Sequence, residues 1–373
     1  MNTETTGCTP RQHYLDRLKV LLTALVVFHH AAITYGAAGD WFYREPAAGH
    51  TLAGAVLTLF CAVNQSFFMG LFFLLAGYLT PASLQRKGPA RFLRERLVRL
   101  GVPLLCFGFL LGPMTEQLAQ GASWDRLGWE ISTEAGARFV LGPLWFCWTL
   151  LIFSVLYTGL DQIRPGLFWQ KVPAPAVMLA GALGVGLVAF AVRLWLPAGA
   201  HVLGVQLGYC VSYTVLFMTG CMAARHLLLE QLTAAQIRPL VRAGLMALPV
   251  LPAFWLAHGS ASTPVGVWLG GWNWPALVYA LWEPLVAWGV ISGLLLWGRR
   301  HLNGASRRWA FWTRHAYGAF VLHTPVLVAL SVAATPLPAS TWLKFMVVAS
   351  LATLLSFLAA AALRRIPGVP SIL

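Results

Sequence analysis

Ten long apolar runs dominate this chain and leave few folds open to it. They fall at about 18–36, 52–80, 100–118, 143–160, 174–196, 202–224, 241–258, 274–297, 316–334 and 341–363. Each is near the ~20 apolar residues that an α-helix needs to cross a bilayer. In lipid, backbone polar groups must be satisfied within the segment, so such runs are helices. The expected fold is an all-α integral membrane protein with about ten transmembrane helices. The second run is long enough to be tilted, or broken near Asn64 and Gln65. The fifth and sixth are joined by a tight turn at "PAGAH".

The charges give an orientation. Formal net charge is +14, which for a soluble protein would suggest nucleic acid. Here the basic residues sit in short segments between apolar runs, as the positive-inside bias requires, and no nucleic-acid partner is implied. With the N-terminus in the cytoplasm, all but five of the 26 Lys and Arg residues fall at the cytoplasmic ends. The five exceptions are Arg44, Arg126, Arg138, Arg193 and Lys344. Both termini are therefore expected in the cytoplasm. The polar N-terminus lacks a signal-peptide pattern, so the first run is a retained span. Residues 1–373 read as a single transmembrane domain with no appended soluble domain. The six cysteines are scattered, with no C-x-x-C, and read as small apolar residues rather than disulfides or metal ligands. The 119–142 segment is the largest external connection, with Trp124 and Trp129 at the headgroups. "RHLLLEQLTAAQIRPLVR", from Arg225, reads as a helix on the cytoplasmic surface.

The first run, "DRLKVLLTALVVFHHAAITYG", carries a polar stripe. At 100° per residue, Asp16, Lys19, Thr23, His30 and Thr34 share an arc of about 60°. His29 falls to the side of it and reads as a packing residue; Arg17 lies nearly opposite. His30 stands ~16 Å above Lys19, near the middle of the membrane. A titratable group at that depth faces protein or a water-filled cavity, and imidazole suits general acid–base chemistry. The plainer alternative is a histidine that only hydrogen-bonds a neighbouring helix.

Glu283 is the one acidic residue deep in a run. It lies ~13 Å below the outer edge, at a depth similar to His30. A buried carboxylate needs a partner, and a His30–Glu283 pair would satisfy both. After the second run, Arg96 and Arg99 share a helix face and form a candidate clamp for a phosphorylated ligand. Trp145 opens the fourth run, and His323 stands two turns into the ninth. Asn64 and Gln65 are polar at mid-depth and could line the same cavity as His30.

Four motifs together make the chain resemble the acyltransferase-3 family of integral membrane acyltransferases, which includes O-antigen acetylases and glucan succinyltransferases. They are a cation separated from His30 by ten residues, the Arg96-Leu97-Val98-Arg99 pair, "PLWF" at Pro143–Phe146 and "YGAFVLHTP" at Tyr317–Pro325. One departs from the family pattern: Lys19 stands where the family has arginine, keeping the charge but losing the bidentate fork. The resemblance implies an O-acyltransferase of the cell (inner) membrane that uses cytoplasmic acyl-CoA as co-substrate, with no bound cofactor or metal. It implies an acetyl or succinyl group moved to a hydroxyl of an envelope glycan. His30 and Glu283 would be catalytic. Lys19, Arg96, Arg99 and His323 would serve the donor, and Asp16, Asn64, Gln65 and Trp145 the cavity lining. No acyl-enzyme nucleophile stands out, which favours direct transfer. The competing class is a transporter with a His/Glu proton relay; it would be favoured by inverted repeats, and none is evident.

Overall fold

A computed structural model describes residues 12–45, 51–121, 139–164, 166, 168–257 and 264–373. Trp124 and Trp129 lie outside the described residues. Among the described residues ten helices are long and apolar enough to cross a membrane: α1 His13–Thr34, α2 Leu52–Lys87, α3 Pro89–Ala119, α4 Gly142–Ile163, α5 Pro175–Arg193, α6 Leu207–Ala224, α7 Ala234–Ala257, α8 Trp274–His301, α9 Arg308–Ala334 and α10 Thr341–Leu363.

The helices differ from the sequence reading where proline and charge intervene. α2 runs unbroken through Asn64 and Gln65. At ~1.5 Å per residue its 36 residues outrun the hydrocarbon layer, so its basic end projects beyond it. The Arg/Lys-rich stretch after the second run is therefore mostly helix rather than loop. α2 ends at Lys87, Gly88 turns the chain at φ +74, and α3 starts at Pro89. α3 is regular except for two wide π-turns, Leu97–Gly101 and Phe107–Leu111. Pro103 and Pro113 stand two residues beyond their ends. Proline cannot donate to the carbonyl four residues back, and the wide turn absorbs the mismatch.

The connection between α5 and α6 is also more than a tight turn. Residues His201–Val202 and Val205–Gln206 form a small antiparallel hairpin. Its Leu203-Gly204 tip has positive φ at both residues, and the Trp148 indole donates to the Leu203 carbonyl at 2.9 Å. The expected surface helix from Arg225 is split. Leu228–Gln231 is a short helix, and the following residues open α7 behind a Thr233/Gln236 capping box.

Packing follows small residues, as expected where lipid supplies no hydrophobic drive between helices. α2 and α6 meet backbone to backbone at Gly77 and Gly220; a Cβ at either would clash with the partner's main chain. α1 packs against α2, α9 and α10. At the end of the bundle holding the start of α1, Arg17 is buried. It donates to the Leu302 carbonyl at 2.7 Å and to the Gly304 carbonyl, tying α1 to the α8–α9 turn. There Arg299 donates to the Leu232 carbonyl at 2.5 Å, and Tyr78 hydrogen-bonds Glu230. Burial raises the Glu230 carboxyl above the usual range. This end, which also carries the α2–α3 turn, is the basic end.

At the opposite end the chain after α1 folds back over the bundle. Glu45 N–H donates to the Thr34 carbonyl at 2.9 Å, and the Glu45 carboxylate pairs with Lys344 of α10 at 2.5 Å. Tyr43 and Thr335 share a hydrogen bond of 2.6 Å. These contacts hold Trp41 against the helices.

Candidate active site

A cavity of about 1910 Å³ occupies the half of the bundle away from the basic end. Its lining runs on α2 from Leu52 to Met69 and on α1 from Val26 outward, so it stops about halfway through the bundle. His29 and His30 both line it, with Trp41, Gln65 and Trp145.

The imidazoles form an aromatic cluster. His30 stacks on the Trp41 indole with centroids 3.8 Å apart and planes 14° apart. On α9, His323 lies 5.4 Å from His30 and 6.0 Å from Trp41, again nearly parallel to both. His29 stands edge-on to His30 at 5.4 Å and stacks on Phe68 at 4.9 Å. His323 is fully buried, and its Nδ1 lies 2.5 Å from the Phe320 carbonyl oxygen. A carbonyl only accepts, so that nitrogen carries hydrogen and Nε2 is left as the acceptor when the ring is neutral. Nε2 of His323, Nδ1 of His30 and the Trp41 indole N–H are all buried without a partner. Unmet polar atoms gathered in one place are costly and call for a functional explanation.

The stripe on α1 is real but only partly committed to the cavity. Thr23 and Thr34 hydrogen-bond back to the Lys19 and His30 carbonyls, at 2.9 and 3.1 Å. Lys19 pairs with Asp16 at 3.2 Å. Neither lines the cavity, and nor do Arg96 and Arg99. Arg96 donates to Thr80 at 3.3 Å and lies over the Phe92 ring. Arg99 sits in the first π-turn of α3 with its side chain exposed, while its carbonyl accepts from Tyr317 at 2.6 Å. Asn64 is buried with an unpartnered amide nitrogen and does not line the cavity. Gln65 does line it, donating to Tyr213 at 3.1 Å.

The expected His30–Glu283 pair is not formed. Glu283 is 1% exposed and pairs with Arg193 of α5 at 2.5 Å. Arg193 is itself fully buried and also donates to the Gly208 carbonyl at 2.9 Å. Its guanidinium lies between the rings of Tyr209 and Tyr279, at 5.0 and 5.4 Å. Equal depth in two helices does not make them neighbours, and a permanent guanidinium satisfies a buried carboxylate better than a neutral imidazole.

Residues 12–361 match the model of a family described as an acyltransferase domain. The chain belongs to the acyltransferase-3 family. It is therefore a multi-pass membrane acyltransferase, and the transporter class gives way. Glucans biosynthesis protein C of Escherichia coli O6:K15:H31 (strain 536 / UPEC) is 22% identical over 360 residues, covering 90% of this chain and 87% of that protein. No solved structure matches the chain.

Two residues that line the cavity, Trp41 and His29, were not marked out by the sequence, and two buried cations outside the lining, Arg193 and Lys344, were. Trp41 lies outside every apolar run and gave no periodic signal. His29 read as a packing residue, yet it lines the cavity as His30 does. Arg193 and Lys344 did carry a signal: both are cations away from the basic end. A cation in a span away from the basic end needs an acid, and both have one, Glu283 and Glu45.

Proposed function

We propose that this acyltransferase moves an acyl group, acetyl or succinyl, from acyl-CoA to a hydroxyl of an envelope glycan, with His30 as general base. The observation that carries the reading is the stacked cluster of His30, Trp41 and His323, with unpartnered nitrogens beside a cavity of about 1910 Å³. The basic end faces the cytoplasm and both termini lie there, in the cell (inner) membrane, because positive charge is retained on that side. The chain acts as a single transmembrane unit, without a bound cofactor.

Acyl-CoA approaches from the basic end. Arg96, Arg99 and Lys19 attract its phosphates, and the pantetheine arm passes towards His323 and His30. The acceptor enters the cavity from the other end. A ring nitrogen of His30 takes the hydroxyl proton as the oxygen attacks the thioester carbonyl carbon. The C–S bond then breaks, and the departing thiolate takes the proton from the imidazolium. The products are the ester and CoA thiol. His323, its Nδ1 held by the Phe320 carbonyl, fixes the neighbouring ring. Glu283 keeps Arg193 neutralised rather than serving His30.

The test is turnover of acetyl-CoA and succinyl-CoA by purified protein in lipid nanodiscs, read as free thiol, with mass spectrometry of the glycan acceptor. Arg96→Ala and Arg99→Ala are expected to raise the KM for donor with little change in kcat, each by the equivalent of about 1.5–3 kcal/mol. Failure of both CoA thioesters to release thiol in the presence of envelope glycans would overturn the reading.

A further inference from the structure

The cavity has a second wall, formed by α4, α6 and α8, that the transfer step does not use. Trp145 of α4 stacks near-parallel to Tyr213, centroids 5.5 Å apart. Tyr213 stacks on Tyr209 at 6.3 Å, both on α6. The Tyr209 and Tyr279 hydroxyls lie 3.5 Å apart, joining α6 to α8. Trp145, Tyr209 and Tyr279 face the cavity, and two amides, Gln65 and Gln206, line it beside them. Behind the tyrosines stands the Arg193–Glu283 pair, whose cation lies between their rings.

We propose that this wall is a binding site for a neutral sugar. The inference rests on the reading that the cavity holds the acceptor. A pyranose has apolar C–H faces and hydroxyls around its edge. Flat aromatic rings match the faces, and amides and phenols match the edge. Gln65 donates to Tyr213, the Gln206 amide lies 3.3 Å from His201 Nε2 and the two phenols pair with each other, so the polar edge is ordered in advance, and a lipid chain would leave the remaining capacity of the amides unused. An anionic ligand would need surplus positive charge at this wall, where the Arg193 charge is already matched by Glu283; elsewhere in the lining Arg44 is accompanied by the acids Asp40 and Glu116. The pair instead fixes the two rings before ligand arrives, which lowers the ordering cost of binding.

The experiment is calorimetric titration of the full-length protein in nanodiscs, without acyl-CoA, using maltoheptaose and a linear β-glucan oligosaccharide. Wild type is expected to bind at least one of them saturably. Tyr209→Ala and Tyr279→Ala should weaken binding by about tenfold or more. Gln206→Leu, on the hairpin rather than in the bundle, should weaken it while keeping the wild-type melting temperature. Trp195→Ala removes an exposed aromatic outside the cavity lining and should bind as wild type. Absence of saturable binding by wild type overturns the site. So does wild-type affinity in the Tyr209, Tyr279 and Gln206 variants. Sugar binding without thioester turnover would leave this site standing and sink the proposed reaction; turnover without sugar binding would do the reverse.

Discussion

Two clusters of buried polar side chains stand within this bundle, and they meet the low-dielectric interior in different ways. On α1 and α9, His30 and His323 are stacked with Trp41, and no acidic group hydrogen-bonds or pairs with either imidazole among the described residues. On α5 and α8, Arg193 and Glu283 are an ion pair, with the Gly208 carbonyl and two tyrosine rings completing the cation's surroundings. The first cluster can exchange a proton because His30 Nδ1 and His323 Nε2 have no hydrogen-bond partner. The second cannot easily do so, because moving a proton within it would leave its surroundings mismatched. The difference teaches that burial and polarity alone do not mark a catalytic group; the state of its partners does.

The largest test of that contrast is at His30. His30→Ala should lower turnover by ~10²–10⁴-fold, the usual worth of a general base, with the melting temperature nearly unchanged. Arg193→Met should show the opposite pattern. Leaving Glu283 buried and unpaired should cost about 3–5 kcal/mol of stability, read as lost folded protein and a lower melting temperature. The double change Arg193→Met with Glu283→Met should recover most of that loss, since replacing both charges is often neutral. If Glu283→Gln abolished turnover while melting as wild type, the contrast would break and the carboxylate would belong to the chemistry. A smaller effect is expected at Trp41. Trp41→Phe keeps a stacked ring but removes the indole N–H, and should slow kcat by the equivalent of about 0.5–1.5 kcal/mol. Smallest is the latch that holds the Trp41 segment: Glu45 is partly exposed and can be solvated once unpaired, so Lys344→Met should change kcat at saturating donor by less than Trp41→Phe does.

The place of the helices was legible because the bilayer imposes a length and a composition on every span, and both are local properties of sequence. The stripe on α1 was legible for a similar reason: a helix of fixed pitch makes residue spacing equivalent to direction. That reasoning singled out His30, and with it the cavity side of α1. It undervalued His29, because the cavity is wide enough to take in more of the helix surface than a narrow stripe. The extra helix around Arg96 and Arg99 was hidden because positive charge reads as loop in a hydropathy pattern, whereas here it sits on helices that extend past the lipid.

By itself the sequence determined that this chain crosses a membrane about ten times, which ends carry positive charge, and which histidine and which carboxylate are deep enough to need company. Only the tertiary structure decided that company. Depth along a helix supplies one coordinate of three. The other two come from how α1, α5, α8 and α9 pack around one another, and that packing is set by close contacts spread over the whole bundle. So Glu283 meets Arg193, ninety residues away, and His30 meets His323 and an indole from a connecting segment that has no periodicity of its own.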